Sequence, residues 1–230
     1  MSSPALSAVK TLNERLSKQL SKYDSSHANS MKASHNRLTN ALEGLVSMRD
    51  NPNSTETASA HVLKLSKAAK RMGDEVAKMK ERAFQNYMEY DLSISNQIAD
   101  RAGIQENKYA SEVRAAFKAL PQAERLDFIT EVINKEDGAS FAAIMGAPQI
   151  LTGIDPAMNA ALTESFYNKV APELLQEHND VKEAMDALSA SFKTIEREVQ
   201  TYMNPENIQR IEQEVQRSME AQDKFSSALA

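Results

Sequence analysis

The sequence contains no cysteine and no tryptophan among its 230 residues. Without cysteine, the chain cannot form disulfides, thiolate zinc sites or iron–sulfur clusters, and it has no cysteine nucleophile. It also has only six glycines, fewer than half the usual share of a globular protein. Because glycine supplies the positive-φ turns of hairpins and phosphate-binding loops, this scarcity argues against a strand-rich fold.

Long apolar runs are also missing. None approaches the roughly 20 residues that a transmembrane helix needs, and the first residues lack the charged and apolar regions of a secretory signal. The apolar share of 41% and the charged share of 26% are those of a globular chain and not of a disordered one. We therefore expect a soluble, all-α protein with no membrane span and no secretory signal.

Apolar residues spaced three and four apart predict two long helices in the first half of the chain. The first covers residues 4–49, with a bend or a break at the polar stretch Asp24–His27. The second covers Thr55–Ala102, carries a heptad seam of apolar residues, and ends at Gly103 in a left-handed C-cap. Joined by a short turn, the two helices should form a long antiparallel hairpin.

The middle of the chain, residues 104–155, has a different character. Four of the six glycines and three of the seven prolines fall between residues 103 and 156, which predicts short helices and sharp turns. Residues 156–230 then predict long helices again, with Asp155 and Asn204 as N-caps. The last heptad seam consists of Ile208, Ile211, Val215, Met219, Phe225 and Leu229.

Three segments follow from this pattern: a helical hairpin at 1–103, a central short-helix head at 104–155 and C-terminal long helices at 156–230. The predicted fold is therefore all-α, with long antiparallel, coiled-coil-like helices and a small central helical head. The seams favour self-association, because each presents apolar side chains along one face of a helix.

Charge divides the chain in the same way. Residues 1–102 hold 15 basic and 11 acidic side chains, whereas residues 103–230 hold 12 basic and 21 acidic ones. An acidic C-terminal region disfavours nucleic-acid binding. The basic excess of the first half has two compatible interpretations: a solvated face with helix-spaced ion pairs, or a hairpin that docks on the acidic arm of the same or a neighbouring chain.

No motif for catalysis or for cofactor binding is present in the sequence. The glycines are wrongly spaced for a dinucleotide or phosphate-binding loop and for a nucleophile elbow. None of the four histidines, His27, His35, His61 and His178, has the partner spacing of a metal site, and we interpret them as surface or seam-edge residues. We therefore predict no enzymatic activity, no cofactor and no metal.

The most apolar stretch of the chain lies in the central head, between helix-breaking residues. Its candidate partner-binding residues are Phe141, Ile144, Met145, Ile150 and Leu151. One interpretation places them in the core of the head, and the other makes the segment an exposed docking loop.

The same region resembles a pattern seen in uncharacterised small helical proteins from the structural gene regions of tailed bacteriophages. The matching stretches are Asp137-Gly138, Phe141-Ala-Ala-Ile-Met-Gly-Ala-Pro148, Leu151-Thr-Gly153 and Tyr167-Asn-Lys-Val-Ala-Pro172. The resemblance implies a component of the virus particle or of its assembly, such as an internal, ejection, connector or scaffolding-type protein. The acidic C-terminus counts against a scaffolding role, since such proteins present a basic C-terminal helix.

The predicted function is that of a non-enzymatic structural or assembly protein, present in several copies in a bacteriophage virion and acting by helix-seam packing. Its expected partners are further copies of itself, other virion proteins or both, in the virion or the host cytoplasm. One alternative is a cytosolic helical adaptor or chaperone that binds a protein through the central apolar segment. A second is a nucleic-acid-associated protein that uses the basic hairpin.

Overall fold

The computed structural model describes residues 3–104 and 108–228, and within these ranges every regular element is helical. The all-α prediction is confirmed. Leu229 of the last predicted seam and residues 105–107 of the predicted head lie outside the described residues. The helices are α1 Pro4–Leu20, α2 Ser26–Asp50, α3 Ala58–Arg101, α4 Ala110–Ala119, α5 Gln122–Asn134, α6 Gly138–Met145, α7 Gln149–Thr152, α8 Pro156–Val170, α9 Pro172–Thr201 and α10 Pro205–Ala228.

The chain divides into two compact units. Unit 1 comprises Met1–Tyr87 and Lys182–Ala230, and unit 2 comprises Met88–Val181. The helices α3 and α9 therefore each contribute residues to both units. The three-segment division of the sequence at residues 103 and 155 stays a prediction.

Local hydrogen bonds explain most of the helix boundaries. The predicted interruption near Asp24 is a break, because the Ser25 side chain accepts from the Ala28 N–H (3.3 Å) and starts α2. Asp155 and Asn204 cap α8 and α10, as predicted.

The start of α3 differs from the prediction. The Asn53 side chain accepts from both the N–H and the hydroxyl of Thr55, at 3.1 and 3.0 Å. This local turn occupies Thr55, so Thr57 takes over the capping role and accepts from the Ala60 N–H at 3.2 Å. The helix consequently begins at Ala58, three residues later than expected.

In unit 1, side-chain contacts show that α1 and α2 run antiparallel. Lys10 Nζ donates to Glu43 Oε1 at 2.8 Å, and Asn13 Nδ2 donates to Asn36 Oδ1 at 2.9 Å. As the residue number rises along α1, it falls along α2. The α2–α3 pair is also antiparallel, since Arg37 pairs with Glu75 (3.6 Å) while Asn86 donates to Ser30 (3.4 Å).

The first three helices all contact α9, and for α2 the contact is that of His35 Nε2 with the Ser191 hydroxyl, 2.7 Å apart. Gln19 Nε2 donates to Glu183 Oε2 (2.9 Å), the Ser3 hydroxyl donates to Glu198 Oε1 (3.0 Å), and Lys80 Nζ donates to Glu196 Oε1 (2.9 Å). Unit 1 is thus a four-helix bundle of α1, α2, the first part of α3 and the second part of α9. Its seam on α9 is fully buried at Leu188, Phe192 and Ile195.

Unit 2 has its own apolar core, built mostly from the short helices. The rings of Phe141 and Phe166 stack there, with centroids 4.1 Å apart and planes 17° from parallel. Gly138 allows the close approach of α6 to the end of α3, because a Cβ at this position would overlap the carbonyl oxygen of Ala102. The core residues are Ala102, Phe117, Ile129, Val132, Ile133, Phe141, Ile144, Met145, Ile154 and Phe166.

We predict that Gly138→Ala lowers the free energy of unfolding of the protein by roughly 2 kcal/mol or more, because the added methyl group meets backbone atoms that cannot rotate away. Chemical denaturation measures the change. A Gly138→Ala variant as stable as the wild type would contradict the close packing of α6 against the end of α3.

The interpretation of the histidines as surface or seam-edge residues does not hold for His35, which has no exposed surface. His35 Nε2 lies 2.7 Å from the Ser191 hydroxyl, and that hydroxyl donates to the Ala187 carbonyl at 3.0 Å. The ring nitrogen Nε2 therefore carries a hydrogen, and full burial disfavours a second proton on the ring. Burial lowers the pKa of His35 below its usual value.

We predict that His35 makes unit 1 sensitive to acid. The unfolded chain takes up a proton at His35 near pH 6.5, whereas the folded protein does so only at lower pH. The contribution of His35 to the free energy of unfolding is therefore fully present above about pH 6.5. It is lost as the pH falls towards the lowered pKa, by up to roughly 1.4 kcal/mol per pH unit.

Chemical denaturation of the wild type and of His35→Leu between pH 7.5 and 5 measures this difference. Because all the other titratable groups are present in both proteins, a difference between their pH dependences reports on His35. The expected result is a shallower loss of stability in His35→Leu. Equal slopes in the two proteins would contradict a neutral, buried His35.

Candidate functional site

The structure divides the five predicted partner-binding residues into two groups. Phe141, Ile144 and Met145 lie on α6 and belong to the core of unit 2, where Ile144 is only 1% exposed. Ile150 and Leu151 lie on α7 and face solvent, with Ile150 82% exposed. The first three residues are therefore unavailable to a partner in this structure, and only the last two form a surface.

The break between the two groups has a local cause. The helix α6 ends at Met145, and α7 is a single turn that begins after Pro148. It stops at Gly153, whose backbone is left-handed with φ of 74° and which donates to the Gln149 carbonyl. A four-residue helix has no room for a second buried face, so Ile150 and Leu151 remain outside the core.

Unit 2 also contains a cavity of about 700 Å³. Its lining combines apolar side chains, such as Ile98, Ile154 and Leu175, with polar ones, such as Glu164 and Asn179. Burial raises the pKa of Tyr167 above its usual value, so the phenol stays protonated and can donate a hydrogen bond into the cavity. The lining residues are Ser95, Ile98, Ala147, Gln149, Ile154, Pro156, Asn159, Ala160, Thr163, Glu164, Tyr167, Leu175, His178 and Asn179.

One wall of this cavity contains an imidazole held by a carboxylate. His178 Nε2 lies 2.7 Å from Asp91 Oδ1, and nearby in the same unit Arg101 pairs with Glu173 at 2.9 Å. Both contacts join α3 to α9. A His–Asp pair can exchange a proton, but an imidazole and a carboxylate do not by themselves define a reaction.

Two negative findings concern the described residues. Across 3–104 and 108–228, no group of three or more histidine, aspartate or glutamate side chains is placed to hold a metal ion. Over the same ranges, none of the helices combines the length and the apolar character that crossing a membrane would require.

Unit 1 contains a groove between α2 and α3, which we call the α2–α3 groove. It consists of two adjoining cavities, of about 370 and 580 Å³, that share Met48, Ala68 and Arg71. Its apolar lining includes the buried Leu38, Leu45, Met72 and Val76, together with Val215 of α10 in the same chain. Its charged lining residues are the basic Arg37, Lys64, Lys67 and Arg71 and the acidic Glu75.

The second exposed feature of unit 1 is α10, in which Ile211 is the one buried residue among those described. Every residue from Glu212 to Ala228 is exposed. We call Val215, Met219 and Phe225 the α10 stripe. Val215 and Met219, four residues apart, are neighbours on one side of this helix. Phe225 lies about 120° round the helix from Met219, and Met219 and Phe225 are 62% and 65% exposed.

Sequence reasoning missed both the α2–α3 groove and the His178–Asp91 pair. The groove lies between consecutive helices whose pairing was predicted, but the spacing of apolar residues along each helix does not show where packed helices leave a gap. Asp91 and His178 are 87 residues apart, so no local spacing could indicate their contact. A signal did exist for His35: it is four residues after Met31 and three before Leu38, on the predicted apolar stripe.

Comparison of the chain with protein-family models, with curated proteins and with solved structures finds no match in any of the three. The function must therefore be argued from the surfaces just described.

We predict opposite effects of a charge at two of the candidate residues. Phe141→Asp should destabilise the protein by roughly 4 kcal/mol or more, since it buries a carboxylate beside Phe166. Ile150→Asp should change stability by less than about 0.5 kcal/mol, since Ile150 is already in water. Thermal melts of the two variants test this. A large loss of stability in Ile150→Asp would contradict its exposed position.

Proposed function

We propose that this chain is a non-enzymatic structural or assembly protein that works in several copies through helix-seam packing. The observation that carries the proposal is the α10 stripe. In the four-helix bundle the apolar seams are covered, whereas the stripe on α10 exposes Met219 and Phe225 to solvent.

The physical argument concerns the stability of α10. A single helix of this length is marginal in water, because most helical stability in proteins comes from packing of an apolar face. Covering a large apolar side chain is worth roughly 1.5–3 kcal/mol. A second protein surface over Met219 and Phe225 would supply this stabilisation, which is the mechanism by which helical assembly proteins associate.

The biological setting that we propose is a tailed-bacteriophage particle or its assembly, in the virion or the host cytoplasm. It rests on the resemblance of residues 137–172 to small helical proteins from phage structural gene regions. Within that setting the chain would be an internal, ejection, connector or assembly-associated component.

One alternative is favoured by a specific observation. Ile150 and Leu151 are exposed on α7, beside Gln149 of the cavity in unit 2, and an adaptor or chaperone could bind a protein partner there. The Ile150→Asp variant separates the two proposals. It should abolish partner binding by an adaptor but leave self-association through α10 unchanged.

We predict that the purified protein forms a defined oligomer whose population rises with protein concentration. Size-exclusion chromatography with light scattering measures its mass between about 5 and 200 μM, a range in which modest helix contacts become populated. A monodisperse monomer throughout would contradict the multicopy proposal. Recovery of the chain from purified particles of the phage that encodes it would test the virion setting.

A further inference from the structure

We propose that the cavity in unit 2 binds a small organic cation, in which a protonated amine is attached to an apolar body. This inference goes beyond the proposed assembly function and does not depend on self-association. The cavity measures about 700 Å³, which lies within the range of roughly 300–1,000 Å³ that ligand pockets usually span. All the residues that line it belong to unit 2.

The apolar part of the lining can hold the body of such a ligand. Ile98 of α3, Ile154 of the connection between α7 and α8, and Leu175 of α9 all line the cavity, and each is buried in the unit. Contact with these side chains would remove apolar surface of the ligand from water, which favours binding.

One face of α8 forms a side of the cavity and sets its length. The lining residues of this helix recur every three or four positions, from Pro156 through Ala160 and Glu164 to Tyr167. At 1.5 Å per residue this face extends roughly 16 Å. The cavity can therefore hold an extended molecule whose two ends differ in chemistry.

The charges of the lining favour a cation. Among the described residues that line the cavity there is no lysine or arginine. Glu164 supplies a carboxylate that forms no ion pair with any described residue. Tyr167 follows three positions later, on the neighbouring turn of α8, and adds an aromatic ring, whose face attracts cations. An ammonium group placed between these two side chains would gain an opposite charge and an aromatic surface.

Hydrogen bonds within unit 2 leave further lining groups as acceptors. The Thr163 hydroxyl donates to Asn159 Oδ1 at 3.3 Å, and Asn159 Nδ2 donates to the Met145 carbonyl at 2.8 Å. The hydroxyl hydrogen of Thr163 is therefore used, whereas its oxygen can still accept. Because the Asp91 carboxylate accepts from His178 Nε2, the Nδ1 atom of the neutral imidazole is an acceptor as well.

These acceptors define what the polar end of the ligand must bring. The Glu164 carboxylate, the Thr163 oxygen and His178 Nδ1 all accept hydrogen bonds, and an ammonium group has three donors and no acceptor. A carboxylate or a phosphate group brings acceptors, and it would meet Glu164 with a charge of the same sign. The lining therefore selects an amine over an acid.

The first experiment titrates the protein with three probes that share a phenylbutyl body. At pH 7.5, 4-phenylbutylamine is a cation, 4-phenylbutanol is neutral and 5-phenylpentanoate is an anion. Backbone amide chemical shifts measured by NMR report both the dissociation constant and the location of each probe. The amine should bind about threefold or more tightly than the alcohol, since a charge pair near the surface contributes modestly, and the anion should bind most weakly.

The location of the shifts is part of the test. They should fall on the residues of unit 2 that line the cavity. Shifts confined to unit 1, or an amine that binds no more tightly than the alcohol, would overturn the proposal.

A cavity-filling variant tests the site itself. Ala160→Leu enlarges an exposed side chain of α8 that lines the cavity. It should leave the melting temperature unchanged and weaken binding of 4-phenylbutylamine by roughly tenfold, since a pocket discriminates a change of one or a few methyl groups by about that factor. Ala161→Leu makes the same change at the next residue, which is also exposed but does not line the cavity. This matched control should bind like the wild type.

A charge-removing variant tests the choice of a cation. Glu164→Gln keeps the shape of the side chain, so it should lower the affinity for the amine about threefold and leave the affinity for the alcohol unchanged. Glu124→Gln, at an exposed carboxylate of α5 outside the cavity, is its control and should change neither affinity. Wild-type affinity for the amine in Ala160→Leu or in Glu164→Gln would overturn the proposed site.

Discussion

Burial of the apolar seam of α9 is the interaction on which the structure of unit 1 depends. Leu188, Phe192 and Ile195 are completely covered, and burial of such side chains is worth roughly 1.5–3 kcal/mol apiece. The ion pairs at the edges, such as Lys80–Glu196, lie in solvent, where each contributes about 0–1 kcal/mol. Apolar burial therefore holds the bundle together, and the charged contacts select the pairing and direction of the helices.

The same constraint explains where the protein has surface left to use. The apolar seams of α1, α2, α3 and α9 face one another and are covered, whereas α10 continues beyond the bundle and leaves Met219 and Phe225 exposed. In unit 2 the corresponding division falls between α6, whose Phe141 stacks on Phe166, and α7, which is too short to bury Ile150. In these two places, exposed apolar side chains occur where a helix extends past its neighbours or is too short to reach them. The interior of α3 also exposes apolar side chains, at Phe84, Met88 and Leu92.

Polar residues inside the helices were the hardest to predict from sequence. The spacing of apolar residues predicted which face of each long helix is apolar, but it could not show that His35 would contact Ser191. That contact joins residues 156 positions apart and depends on which helices become neighbours. The start of α3 was predicted wrongly for a different reason. Asn53 forms a local turn with Thr55, so the helix does not begin at Thr55 as predicted.

The sequence by itself determined the all-α class, the order of long and short helices and most of their ends, because helix periodicity, caps and breakers act over a few residues. Only the tertiary structure decided which apolar residues are covered. A hydrophobicity pattern does not distinguish Phe141 from Ile150, yet Phe141 lies in the core of unit 2 and Ile150 lies on the surface. The α2–α3 groove likewise exists only between packed helices, since its walls come from residues that local interactions never bring together.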